Sequence, residues 1–324
     1  MSGCPPESEP ITFRELIREL IVAAGRRAAR PVGRPVGPPA ESPPPLDPLR
    51  RVVLTDEVSR TLFGEYAGHR QSERGTEEIG WDLMGTRQGD TATVLATLPA
   101  GEGRDASEGH VQFNRAAQEF AWRILRQGTR QLRMLGVVHT HPGSLRHPSS
   151  GDYRGDVRWV ANLKGQEGVF GIGTADAAPG PQPGVAWQPA PNVQALGDLC
   201  LSWYVLGAGD KNYRPLSVQL TIGPDLAAPL RPVWTELEAH AERLDRLARQ
   251  LTGVKLEVTA GHQKSALALT VPLPEAGRAL RVELEGKAVR YRLLTPDGGA
   301  LAADLREDRV DVGVFLMLSE LAAR

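Results

Sequence analysis

Two histidines and an aspartate set the chemistry open to this chain. In Gly136-Val137-Val138-His139-Thr140-His141-Pro142 an apolar run leads directly into His139 and His141. Side chains on a strand repeat every two residues, so a strand carried through this stretch puts both imidazoles on one face. Pro142 and Gly143 end the strand, and after seven residues Ser149 opens a segment with Asp152 three positions later, which is how a helix starts. The pattern H-x-H, seven residues, S-x-x-D thus offers two nitrogen donors and one hard oxygen donor. Three protein ligands with a fourth position left open suit a catalytic zinc site, whereas a structural site is usually closed by four ligands, often thiolates. Only Cys4 and Cys200 are present, so a thiolate cage is excluded. The plainer alternative makes His139 and His141 ordinary surface histidines, with Ser149 and Asp152 no more than a helix cap.

At these residues the sequence resembles the JAMM/MPN+ (JAB domain) zinc metalloprotease family, whose signature is an upstream glutamate, then H-x-H-P, seven residues to a serine, and x-x-D. The upstream element is matched by Glu78-Ile79-Gly80-Trp81-Asp82-Leu83-Met84-Gly85, similar to the family's E-x-G-G strand, with Trp81 where that strand has its second glycine. Glu77 is a further candidate for the glutamate. The combined motif is far more specific than its parts, and the resemblance extends over residues 50–225. It implies one catalytic Zn²⁺ held by His139, His141 and Asp152, with Glu78 as general base toward a water in the fourth position. It implies Ser149 as the donor to the oxyanion.

The resemblance further implies a zinc isopeptidase or peptidase, deubiquitinase-like, that cuts after the carboxyl-terminal tail of a ubiquitin-like protein. The arginine, proline and glycine content has a bacterial look, which favours a ubiquitin-like modifier or a sulfur-carrier protein as partner. Two other readings stay open: a hydrolase of small adducts on a sulfur carrier, and a non-catalytic assembly scaffold. Around the motif, His147 is a solvent-facing residue or a support to the ligands. Asp156, one helical turn after Asp152, either orients its neighbours or lies on a solvated face. Thr140 should point to the other side of the strand from the histidines.

Length and charge set the outer limits. A chain of 324 residues has room for two domains. The formal net charge of -1 gives no global field for nucleic acid or an anionic membrane. Two distant cysteines are not a disulfide framework, and neither a secretory signal nor a transmembrane run is evident, so a soluble, cytoplasmic protein is expected.

The elements that must position the motif follow in order. Residues 1–30 read as a polar tail and an amphipathic helix, with Phe13, Leu16, Ile17, Leu20, Ile21 and Ala24 at helical spacing from about Thr12 to Arg30. That helix docks on its own protein, on a homodimer mate, or on a foreign partner or membrane surface. Residues 31–49 are a proline- and glycine-rich linker. Residues 50–225 carry the motif. Strands are expected at 52–54, 79–84, 91–98 and 168–173, with helices at 56–69, 111–127 and from Asp152 to about Lys164. The stretches 99–110 and 175–197 read as loops, and 200–206 with 215–221 as a hairpin closing the sheet. Residues 226–324 read as an accessory α+β domain: one helix over 230–251, strands at 254–259, 266–271, 279–284 and 289–294, and a last helix at 310–323. His240 and His262 have no evident partners there. The whole predicts an α/β (α+β) fold in which a sheet flanked by helices precedes a smaller α+β domain.

Overall fold

A computed structural model describes residues 46–261 and 263–323 of the chain. The helix expected over 12–30, the linker as far as residue 45, and His262 lie outside the described residues. The fold is mixed α/β, the class the sequence predicts, and it divides into two compact units on either side of Arg231 and Pro232.

The first unit begins with β1 (Arg51–Thr55) and α1 (Asp56–Arg70). Thr55 caps α1 by accepting from the Val58 amide at 3.3 Å, with Asp56 and Glu57 in the first turn and His69 and Arg70 in the last, as the helix dipole favours. Next come β2 (Gly80–Gln88), β3 (Thr91–Pro99), the short pair β4 (Asp105–Ser107) and β5 (His110–Gln112), then α2 (Arg115–Gly128), β6 (Arg133–Thr140) and α3 (Ser150–Trp159). After a 3-10 turn at Val160–Asn162 the chain forms β7 (Glu167–Thr174), β8 (Trp187–Ala190), β9 (Val193–Leu196), β10 (Leu199–Gly207), β11 (Arg214–Pro215) and β12 (Ser217–Thr221).

A ten-stranded sheet runs β12-β1-β3-β2-β6-β7-β10-β9-β8, with β11 beside β10. Pairings β1–β12, β1–β3 and β6–β7 are parallel. Val58, Leu62, Phe63 and Tyr66 of α1 bury against Val52, Leu54, Trp81, Leu83 and Trp203 of the sheet. Because β2 alternates, Gly80 and Asp82 lie on the face opposite Trp81 and Leu83. Gly80 is needed there: a Cβ would stand 2.6 Å from the Phe113 ring. Gly136 lets β6 lie against β7, since a Cβ would come 1.6 Å from the Val169 carbonyl oxygen.

Several expectations need correction. The loop 99–110 holds β4 and starts β5, and the loop 175–197 holds β8 and β9. The hairpin at 200–221 is confined to β11, because β12 crosses over to pair with β1. The helix expected from residue 111 starts at Arg115, where Asn114 Oδ1 caps the Ala117 amide at 3.2 Å. The helix after Asp152 stops at Trp159.

Ahead of the second unit, the helix expected over 230–251 breaks at Pro232: Ala228–Val233 is 3-10, and α4 spans Trp234–Gln250. Strands β13 (Lys255–Ala260), β14 (Ser265–Pro272), β15 (Ala279–Glu285), β16 (Ala288–Leu294) and β17 (Ala300–Ala302) pair in chain order, all antiparallel, and α5 (Val310–Ala323) ends the unit. The fifth strand goes beyond the four expected. Leu267, Leu269, Val271, Leu280, Val282 and Leu284 share one buried face. The opposite face carries a charge ladder: Arg281 meets Glu257 at 2.9 Å and Glu283 at 3.1 Å, and Arg292 meets Glu283 at 3.3 Å. Among the described residues no helix is long and apolar enough to cross a membrane.

Candidate metal centre

The register of β6 puts His139 opposite Gly80 of β2 and Ile172 of β7. His141 follows the strand's end, its amide donating to the Gly173 carbonyl at 2.8 Å. Thr140, between them, is turned into the core, where its Oγ1 accepts from the Ile79 amide at 3.0 Å while its own amide donates to the Ile79 carbonyl at 2.9 Å. The residue after Glu78 is therefore fastened to the residue between the histidines.

Asp152 arrives by a helix start. Ser149 Oγ accepts from the Gly151 and Asp152 amides, each at 3.2 Å, and Asp152 Oδ2 accepts from the Ser149 amide at 2.5 Å. This is a complete capping box. The carboxylate that closes the cap is also the one that faces both rings. Asp152 Oδ1 lies 3.4 Å from His139 Nε2, Asp152 Oδ2 lies 3.5 Å from His141 Nε2, and the two Nε2 atoms are 3.1 Å apart. Ligand atoms around a tetrahedral zinc with bonds of about 2.0–2.1 Å are separated by roughly 3.3–3.4 Å along each edge. The donor set fits such an ion in both chemistry and spacing. Among the described residues these three bring one ligand atom each to within 4.8 Å of one another.

Both imidazoles are buried, and His141 Nδ1 stands 2.7 Å from the Leu145 carbonyl. A carbonyl only accepts, so Nδ1 carries a hydrogen, and whenever the ring is neutral Nε2 is left with its lone pair facing the group. Burial opposes charge on His141, but hydrogen bonds to Asp152 and to Leu145 outweigh it and raise the pKa. Burial likewise works against the Asp152 carboxylate. Hydrogen bonds from the two histidines, the charge of His139 and the Ser149 amide prevail and hold it well below the usual range.

Glu78 lies just before β2, its amide donating to the Ser107 carbonyl of β4 at 2.8 Å. The residue is 5 % exposed. Burial raises its pKa, and the charges of His139 and His141 pull the other way without cancelling the shift. A carboxyl so tuned, in electrostatic reach of the whole ligand group, is poised to exchange protons. Glu77 is committed elsewhere, with Arg74 Nε at 2.6 Å.

His147 is exposed, its Nδ1 3.2 Å from the Pro148 carbonyl, and lies outside the ligand group. Asp156 accepts from the Tyr213 hydroxyl at 2.7 Å, and burial pushes its pKa up to about 6 against that hydrogen bond. Tyr153 of α3 donates to the Asp210 carbonyl at 2.9 Å, so the helix that bears Asp152 is tied twice to the turn after β10. The Leu145 carbonyl and Tyr213 are contributions that motif reading misses. Every residue has a carbonyl, and a tyrosine some 60 positions from its partner carries no spacing signal.

No family model matches the chain, and no curated protein matches it. Among solved structures, a solution structure of the protein DSY2949 from Desulfitobacterium hafniense is similar at 19 % identity, covering 54 % of this chain and 95 % of that one with a TM-score of 0.36.

Proposed function

We propose that the protein is a zinc-dependent isopeptidase or peptidase that cuts after the carboxyl-terminal tail of a ubiquitin-like or sulfur-carrier protein. The observation that carries the metal reading is the 3.1–3.5 Å spacing of the His139, His141 and Asp152 donor atoms. The peptidase reading adds Glu78 and Ser149 and rests on the motif's resemblance to the JAMM/MPN+ family.

His139, His141 and Asp152 would hold the zinc, which would supply Lewis acidity at this position. Glu78 takes a proton from the attacking water and passes it to the leaving amine, a task that suits a buried carboxylate of raised pKa. Both lone-pair directions of Ser149 Oγ are taken by the Gly151 and Asp152 amides. Its hydrogen is left to donate to the carbonyl oxygen as that atom gains charge. The β4–β5 hairpin, joined to Glu78 through Ser107, flanks this site and offers an edge along which an extended tail adds as a further strand.

The test is mass spectrometry of tailed ubiquitin-like and sulfur-carrier substrates with wild type, Glu78→Gln and Asp152→Ala, beside metal analysis of each. Wild type should hold one zinc and cleave. Glu78→Gln should keep the zinc and lose about 10²–10⁴-fold in rate. Asp152→Ala should lose both. Cleavage that survives Glu78→Gln, or wild type that binds no zinc, refutes the proposal.

A further inference from the structure

The seven residues between His141 and Ser149 are anchored at one point. Arg146 Nε lies 3.0 and 3.1 Å from the two carboxylate oxygens of Asp176, and its Nη2 donates to the Asp176 carbonyl at 2.7 Å. Asp176 is itself fixed, since Thr174 at the end of β7 donates to its Oδ1 at 2.7 Å. The Arg146 carbonyl accepts from the Tyr204 hydroxyl of β10 at 2.8 Å. Backbone and side chain of Arg146 are thus both held to the sheet, while Pro142, Gly143, Ser144 and Leu145 before it are exposed. The Leu145 carbonyl, in the peptide unit shared with Arg146, is the group that receives His141 Nδ1.

We infer that Arg146, clamped on Asp176, is a positioning residue whose task is to hold the Leu145 carbonyl against His141 and so fix that ring's tautomer and aim. A neutral imidazole has one hydrogen to place. With the carbonyl in position it resides on Nδ1, and Nε2 is free to ligate. Without it the ring is free to rotate and to carry the hydrogen on Nε2, where it blocks a metal. An ion pair with 41 % and 32 % of its two side chains exposed contributes little to stability, because water screens it. Its larger effect is on geometry, as with groups that orient histidine ligands elsewhere. A guanidinium suits the task because its planar fork engages the carboxylate and the carbonyl at once, which an ammonium cannot reproduce.

This inference rests on the metal reading proposed above, and its first readout needs no metal. Nitrogen-15 NMR of the histidine rings in metal-free full-length protein, at a pH high enough that His141 is neutral, should show His141 as a single Nδ1–H tautomer in wild type and as a mixture in Arg146→Ala and Asp176→Ala. Zinc affinity by chelator competition should fall about 10- to 100-fold in both variants. The double variant should lose no more than either one alone, because the two residues act as a unit. Arg146→Lys should recover part of the affinity. The inference is overturned if His141 stays entirely Nδ1–H in both alanine variants, or if their zinc affinity matches that of a zinc-binding wild type. If wild type binds no zinc yet its His141 tautomer responds to Arg146→Ala, the metal reading falls and the positioning role stands.

Discussion

At the scale of single residues, Ser149 has two jobs that substitution can separate. Its oxygen caps α3 and, in the proposed reaction, its hydrogen stabilises the oxyanion. Glycine is a tolerable N-cap and alanine a poor one. Ser149→Gly should therefore cost only a few tenths of a kcal/mol in urea unfolding and Ser149→Ala about 1 kcal/mol. Both should lose the same 10²–10³-fold in kcat, because both remove the donor. A rate that tracked stability across the two variants would reduce Ser149 to a cap. The candidate site was largely legible at this scale because its ligands fall within one strand, one loop and one helix start, residues 139–152, where spacing dictates facing. The Leu145 carbonyl and the Arg146 clamp were not. What selects them is a loop path set by Asp176 and Tyr204, partners remote in sequence.

Among the elements, β2 carries the sharpest conflict between sequence and environment. Asp82 sits mid-strand between Val137 and Leu98, 7 % exposed, and burial pushes its pKa up to about 8 with Arg115 only partly opposing. A folded-state pKa above the unfolded one means that the native state holds the proton longer. Wild-type stability should then decline as pH rises from about 4 to the value near 8, by up to about 1.4 kcal/mol per unit, and level off beyond. Asp82→Asn removes the titration, so its stability should stay flatter across that window and exceed wild type at pH 8 by urea unfolding. Parallel curves would place the charge of Asp82 in water. Long elements could be read from the sequence: α1 and β3 have enough residues for their period to show, and α5 runs over the expected 310–323. The two- to four-residue strands β4, β5, β8, β9 and β11 are too short to show a period, so only pairing defines them. The crossover of β12 to β1 depends on a parallel partner far away in the chain, which local patterning does not encode.

On the scale of the whole molecule, the proposed chemistry is confined to one of two units. His139, His141 and Asp152 all lie within Ser42–Arg231. In the unit that follows, the acids of the charged sheet face are met by arginines, as in Glu257–Arg281 and Glu285–Arg290, so their charges are already satisfied. A ligand that binds only the native form stabilises what it binds by RT ln(1 + [L]/Kd), about 2.7 kcal/mol at a hundredfold excess over Kd. Zinc should therefore slow hydrogen exchange in peptides from β6, β7 and α3 and leave those from β13 to β16 unchanged, and chelator should reverse the effect. Asp152→Ala should abolish the response while the exchange of β13 to β16 stays as in wild type. Zinc-dependent protection appearing equally in both sets of peptides would mean either that the two units open together or that the second one has a metal site of its own. Persistence of that protection in Asp152→Ala would single out the second cause, since the histidine pair would then lack its oxygen ligand. Loss of protection everywhere in Asp152→Ala would single out the first, and the division at Arg231 would be one of contacts and not of stability.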